Sequence, residues 1–215
     1  MTVAICDSVQ VMSRCLDSLR GSVHGLDDQE IVQTLREIEN VSRRTQSVML
    51  EVVAEAESRG IAAREGFAST ARLLAGMLRL SAAEARARCE QAALVGIRRA
   101  LTGEVLMPRL PATAAALAAG EIGAGQLRVI TETMATLPAS VPEPRREQAE
   151  ADLAGYARDF DPRRLRIIAH RLLVNLDPDG PAPVDDPAPT TPARGELWLR
   201  DRRDGRLGLE GWLDA

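Results

Sequence analysis

The chain has almost no aromatic side chains: two Trp, two Phe and one Tyr among 215 residues, 2% of the whole. A core without them must be filled by Leu, Val, Ile, Met and Ala. That suits close-packed helices better than a sandwich of sheets built on aromatic and β-branched pairs. It also leaves few stacking platforms for single-stranded nucleic acid. Lysine is missing altogether, and all 27 basic residues are arginine. With abundant Ala, Gly and Pro, this reads as GC-rich codon usage, so the arginine count alone is no nucleic-acid signal. A net charge of -4 and a pI near 5.4 argue against a strongly basic DNA-binding module. Cys6, Cys15 and Cys89 have no C-x-x-C spacing and are read as buried free thiols of a reducing cytoplasm. No apolar run reaches the roughly 20 residues that span a membrane. Asp7 interrupts the first apolar run and no basic n-region precedes it, so no signal peptide is expected. The chain is placed in the cytoplasm, with no membrane partner.

What is present is helical grammar. Hydrophobic residues make up 45% and charged residues 27%, an ordinary globular balance, and the length allows one good-sized domain with an appendage. Val3, Val9, Met12, Leu16 and Leu19 fall at near-helical spacing over residues 3–20. Asp27 and Asp28 open a long segment to about Ser58, with Gly60 as its stop. Its apolar positions Ile31, Leu35, Ile38, Val41, Val48, Val52 and Ala56 lie three, four or seven apart, a stripe with coiled-coil character. Packing on another helix of the chain is the plainer expectation for that stripe, and self-association the sharper one. Ser69 caps a helix with Leu73, Leu74, Met77, Leu78 and Leu80 turned inward. Ser81 and Glu84 form an S-x-x-E capping box for the next, whose small face is Ala85, Cys89, Ala92 and Ala93.

Residues 108–137 read as an alanine-rich helix, a glycine turn and an amphipathic helix. Pro111 suits a first helical position and Gly120 the left-handed residue just past a helix end. Pro138, Pro142 and Pro144 separate this hairpin from a helix at about 145–159, and Asp161-Pro162 starts the last helix. The fold expected is mainly α: a multi-helix bundle over 1–176, a Pro/Asp-rich linker over 177–194, and a short C-terminal β-hairpin within 195–215. Leu197, Leu199, Leu207 and Leu209 alternate with period two around Arg203-Asp204-Gly205, which is the hairpin signal.

Chemical motifs are scarce. GEIGAGQL has the glycines of a phosphate loop, but a helix rather than a strand precedes it. Asp177-Pro178-Asp179-Gly180 opens like a calcium loop, yet Ala188 stands at the twelfth position where a bidentate Glu is needed. His24 and His170 lack ligands at zinc spacing, so no cofactor and no metal is assigned. The best remaining candidate is the helix after Asp161. There Arg163, Arg166 and His170 share one face at spacings of three and four, fit to grip phosphates. A plain solvated basic face competes with that reading.

Three blocks carry a resemblance: GFASTARLLAGMLRLSAAEARARCEQAALV, RRALTGEVLMPRLPATAAALAAGEIGAGQLRVI and DPRRLRIIAHRLLVNLDPDGP. They resemble the actinobacterial 13E12-repeat family, whose shared region is the domain of unknown function 222. The resemblance implies a helical region followed by a β-containing segment, often with a C-terminal HNH nuclease module. This chain resembles only the first part, so it is expected to stop before any HNH motif and no catalytic residue carries over. Gln126 departs from the family at a position where many relatives have histidine. The function implied is a non-catalytic helical domain, a partial or split copy associated with DNA or positioning a nuclease module. The alternative is an interaction module that pairs with itself or with a separately encoded nuclease half. A fragment with no independent activity is a third reading.

Overall fold

Caps fix where the helices begin. In the computed structural model, which describes residues 2–99, 102–177, 196–201 and 207–212, helix α1 is Thr2–Ser22, and a short 3₁₀ turn, Val23–Gly25, follows it. Helix α2, Asp28–Ser58, starts on a reciprocal box: the Asp27 carboxylate accepts from Glu30 N at 2.8 Å, and Glu30 accepts from Asp27 N at 2.9 Å. Helix α3 is Ile61–Arg64, and α4, Thr70–Leu78, starts on Ser69. Helix α5, Ala82–Val95, starts on Ser81, whose hydroxyl accepts from Glu84 N. The return half of that box is not made, because the Glu84 carboxylate turns to Arg88 at 2.7 Å.

Two short strands follow, β1 Arg98–Arg99 and β2 Val105–Leu106, paired antiparallel with Arg98 opposite Leu106. Helices α6 (Pro111–Ala118), α7 (Ala124–Thr136), α8 (Glu143–Asp159) and α9 (Pro162–Leu176) complete the bundle. The chain divides into two compact units, Met1–Pro178 and Asp179–Ala215. In the second, β3 (Glu196–Asp201) and β4 (Leu207–Trp212) form the expected antiparallel hairpin, with Leu199 opposite Leu209. Its turn and most of the proline-rich linker lie outside the described residues.

The core of the first unit is aliphatic. Leu50 and Val53 of α2, Leu117 of α6, Leu127 and Ile130 of α7, Leu153 of α8 and Leu165 of α9 are buried together. Each such side chain contributes roughly 1.5–3 kcal/mol by leaving water. Alanines at the contacts, Ala85 and Ala92 of α5, Ala116 of α6 and Ala157 of α8, let the helix backbones close up. Helix α2 packs on α5 and α6, α6 on α8, and α7 on α9.

Several apolar positions do not face this core. The α2 stripe is the largest correction: Ile31, Leu35, Ile38, Val41, Val48 and Val52 are all exposed. Helix α2 meets the bundle through Ser47, Leu50, Val53 and Ala54 instead. Small residues on that side allow close approach to α5 and α6, and the stripe is carried on another face of the helix. Met77 and Leu78 of α4 and Ala93 of α5 also point outward. Cys15 is exposed and Cys89 half-buried, so the thiols are not uniformly interior. Burial pushes the Cys89 thiol up from its ordinary range, with Glu57 and Glu90 adding to the shift.

Candidate functional site

Three long-range polar contacts meet at the turn between α6 and α7. Helix α6 ends in a Schellman motif: Glu121 N donates to Ala116 O, and Gly120 N to Leu117 O, both at 3.0 Å. This requires a left-handed residue at Gly120, whose φ is 75°. Helix α2 holds the turn from outside. Asn40 Nδ2 donates to Ala119 O at 3.2 Å, and Arg43 Nη1 to Glu121 O at 3.0 Å. The Glu121 carboxylate in turn accepts from Arg158 of α8 at 2.6 Å. Helices α2 and α8 thus converge on the glycine turn that joins α6 to α7. GEIGAGQL is therefore a helix–turn–helix joint, as the helix preceding it implied, and the amides of Gly120, Glu121 and Gly123 are bonded within the fold.

The other end of α6 solves a different problem. Its N-cap is Leu110, which offers no side-chain acceptor. Glu150 of α8, only 3% exposed, supplies one from across the bundle. Its Oε1 accepts from Thr113 N at 2.6 Å and from the Thr113 hydroxyl at 2.5 Å, and Oε2 accepts from Ala112 N at 3.3 Å. A carboxylate at a helix N-terminus also meets the positive end of the helix dipole. Beside it lies a cleft of about 1000 Å³ that includes Arg98, Arg109, Arg146 and Glu147. Arg146 is already committed there, donating to Leu137 O and Pro138 O. A second cleft, of about 610 Å³, opens between α2, α5 and α7, with Gln46, Glu84, Arg88 and Arg128 on its walls. In the second cleft Arg88 is paired with Glu84 at 2.7 Å.

Helix α9 carries the residues singled out for phosphate contact. Asp161 caps it, accepting from Arg163 N at 2.9 Å and Arg164 N at 3.1 Å. The bond from Arg164 N, with that from Arg163 N and the Arg164 guanidinium, holds the Asp161 carboxyl below its ordinary range against the opposing effect of desolvation. Pro162 seats the helix against α7: a Cβ on Gly125 would lie 2.6 Å from Pro162 Cγ, so only glycine permits this approach. Leu165 and Ala169 face the core, which turns Arg163, Arg166 and His170 together into solvent. Among the described residues none of the three has an ion pair or side-chain hydrogen-bond partner, whereas Arg164 is paired with Asp161 at 3.6 Å. Gln126 bridges α7 to the end of α8. Its Oε1 accepts from Gly123 N at 3.3 Å and its Nε2 donates to Phe160 O at 3.5 Å.

Among the described residues, no group of three or more His, Cys, Asp or Glu could hold a metal ion, and no helix is long and apolar enough to cross a membrane. Asn40, Arg43 and Glu150 escaped sequence reasoning because their partners are about 37 to 79 residues away in the chain. The one available signal was the missing cap before Pro111.

Residues 32–215 match the family described as "Domain of unknown function (DUF222)". An uncharacterized protein of Mycobacterium tuberculosis is 40% identical over 140 residues, covering 65% of this chain and 33% of the relative. A second uncharacterized protein from the same species is 45% identical over 107 residues, covering 50% and 24%. An uncharacterized Mycobacterium bovis protein is 34% identical over 183 residues, covering 81% and 40%. The chain therefore spans between about a quarter and two fifths of these relatives. No solved structure matches it. The match over residues 32–215 bears out the resemblance read from the sequence: this chain belongs to the DUF222 family.

Proposed function

We propose that this chain is a non-catalytic helical interaction domain, serving to join a DUF222 protein to another polypeptide. One observation carries the reading: the apolar stripe of α2 from Ile31 to Val52 is exposed, although its spacing is that of a helix-packing face. A contiguous exposed apolar patch is the usual mark of a protein contact. The partner is a second copy or a separately encoded nuclease half. Sedimentation of the chain alone and mixed with an HNH-bearing DUF222 product tests it. A strict monomer that ignores that product overturns the reading. The absence of catalysis is tested separately, since plasmid cutting by the purified chain with magnesium or manganese would contradict it.

A second reading, contact with DNA, is favoured by the uncompensated α9 face. Arg163 and Arg166 stand in solvent, with no carboxylate partner among the described residues. If they grip phosphates, a mobility shift on duplex DNA weakens with salt, and replacing both by Ala lowers the salt slope by about 2. No binding at low salt removes this reading.

A further inference from the structure

The short β1–β2 hairpin brings two arginines to the same clefts. Pairing of Arg98 with Leu106 turns the chain back after α5. Leu110 N then donates to Leu94 O at 3.0 Å, which pins the returning segment to the end of that helix. Arg98 is half-buried, and its Nε donates to Met107 O at 3.0 Å, so the guanidinium is anchored at one nitrogen. Arg98 and Arg109 both line the cleft of about 1000 Å³ beside the start of α6. Both also line a further cleft of about 690 Å³ between α2, α4 and α5. Among the described residues neither guanidinium has a carboxylate partner, whereas the neighbouring Arg99 reaches Glu55 at 3.6 Å. The acids of these clefts are engaged elsewhere. Glu150 accepts from Ala112 and Thr113, Glu143 faces Arg146 at 3.9 Å, and Glu57 and Glu90 act on the Cys89 thiol. Glu147 is exposed and pairs with neither arginine.

Two like charges that face one cleft repel, and an anion between them turns that repulsion into attraction. A guanidinium offers its N–H groups in a planar fork that fits phosphate oxygens. Anchoring Arg98 beforehand removes part of the ordering cost of binding. Two such groups match a phosphate monoester, which carries a charge of about −1.5 to −2 near neutral pH, better than a carboxylate. Leu94, Met107, Leu110 and Met134 give the larger cleft an aliphatic wall, of which Met107 is 72% exposed. A concave apolar wall with a few converging charges is the form of a small-molecule site. No aromatic side chain lines this cleft, so a nucleobase would find no stacking surface. We propose that Arg98 and Arg109 clamp the phosphate of a small aliphatic phosphate ester whose carbon body lies along Leu94, Met107 and Met134. The site shares no residue with the α2 stripe or the α9 face.

The test is titration calorimetry of the intact chain with hexyl phosphate and, separately, with inorganic phosphate. The expected result is saturable binding of hexyl phosphate, with inorganic phosphate about tenfold weaker or worse because it lacks the aliphatic body. Arg109→Gln weakens hexyl phosphate about tenfold or more, and Arg98→Gln/Arg109→Gln weakens it further. Arg109 bonds to no other described residue, so its single variant keeps the fold and the test stands even if the double variant is destabilised. Arg145→Gln, at an exposed arginine of α8 outside both clefts, leaves the affinity unchanged. Vesicles containing phosphatidic acid distinguish the source of the phosphate. Retention that Arg109→Gln abolishes assigns a lipid headgroup, and hexyl phosphate binding without retention assigns a soluble ester. Absence of saturable hexyl phosphate binding up to about 10 mM overturns the inference. Equal affinity for inorganic phosphate, or an unchanged affinity in Arg109→Gln, overturns it as well.

Discussion

Gly120 shows how one residue holds several helices in register. Its φ of 75° is a conformation that L side chains rarely adopt, and a Cβ there would lie 2.9 Å from the Asn40 backbone oxygen and nearer still to its amide. Gly120→Ala therefore combines left-handed strain with a clash that the α2 backbone resists. The expected loss is on the order of 3 kcal/mol, read as a lower urea midpoint with an unchanged slope. Glu150 makes the complementary case for a buried polar residue. Glu150→Ala leaves the Thr113 amide and hydroxyl without an acceptor in the core, at a cost of about 3 kcal/mol. Adding Thr113→Val removes the orphan hydroxyl and should recover part of that loss. Additive losses would show that the carboxylate and the hydroxyl do not act together.

At the scale of the helix, much was written in local sequence. Asp27, Ser69, Ser81 and Asp161 cap the elements they were expected to cap, because an N-cap bond spans only two or three residues. What could not be read was which apolar face each helix would bury. The α2 stripe has ideal spacing, yet the bundle takes the face with Ser47 and Ala54 because close helix approach rewards small residues. Likewise the partners of Asn40, Arg43 and Glu150 depend on tertiary approach and leave no local trace. The α9 basic face was legible as a face, since Leu165 and Ala169 fix its opposite side. Its cap also gives a pH signature. The folded-state pKa of Asp161 is depressed, so its stabilisation is present above the unfolded pKa and lost as pH falls through the folded one. Asp161→Asn caps at every pH, so its urea midpoint should fall less than that of the wild type on acidification through the carboxylate range. An identical fall in both would mean that the cap's charge contributes nothing.

For the molecule as a whole, a clear division of labour emerges within the first unit. The later helices, α4 to α9 with the second half of α2, bury one aliphatic core and carry its polar joints. Residues 7–41 carry exposed apolar side chains that this core does not use. Resemblance to the DUF222 family was readable from three sequence blocks because they coincide with the packed part, where close helix contacts constrain residue choice. The role of the α2 stripe was less legible, since spacing alone cannot say whether a stripe is covered from within or from outside.

Amide hydrogen exchange on the intact chain, across a dilution series and with the HNH-bearing DUF222 product added, tests the interaction domain most directly. If the α2 stripe is a protein contact, protection over residues 31–41 rises with concentration or on adding that product, while the amides of α7 and α9 keep the same rates. Exchange over residues 31–41 that responds to neither would contradict it.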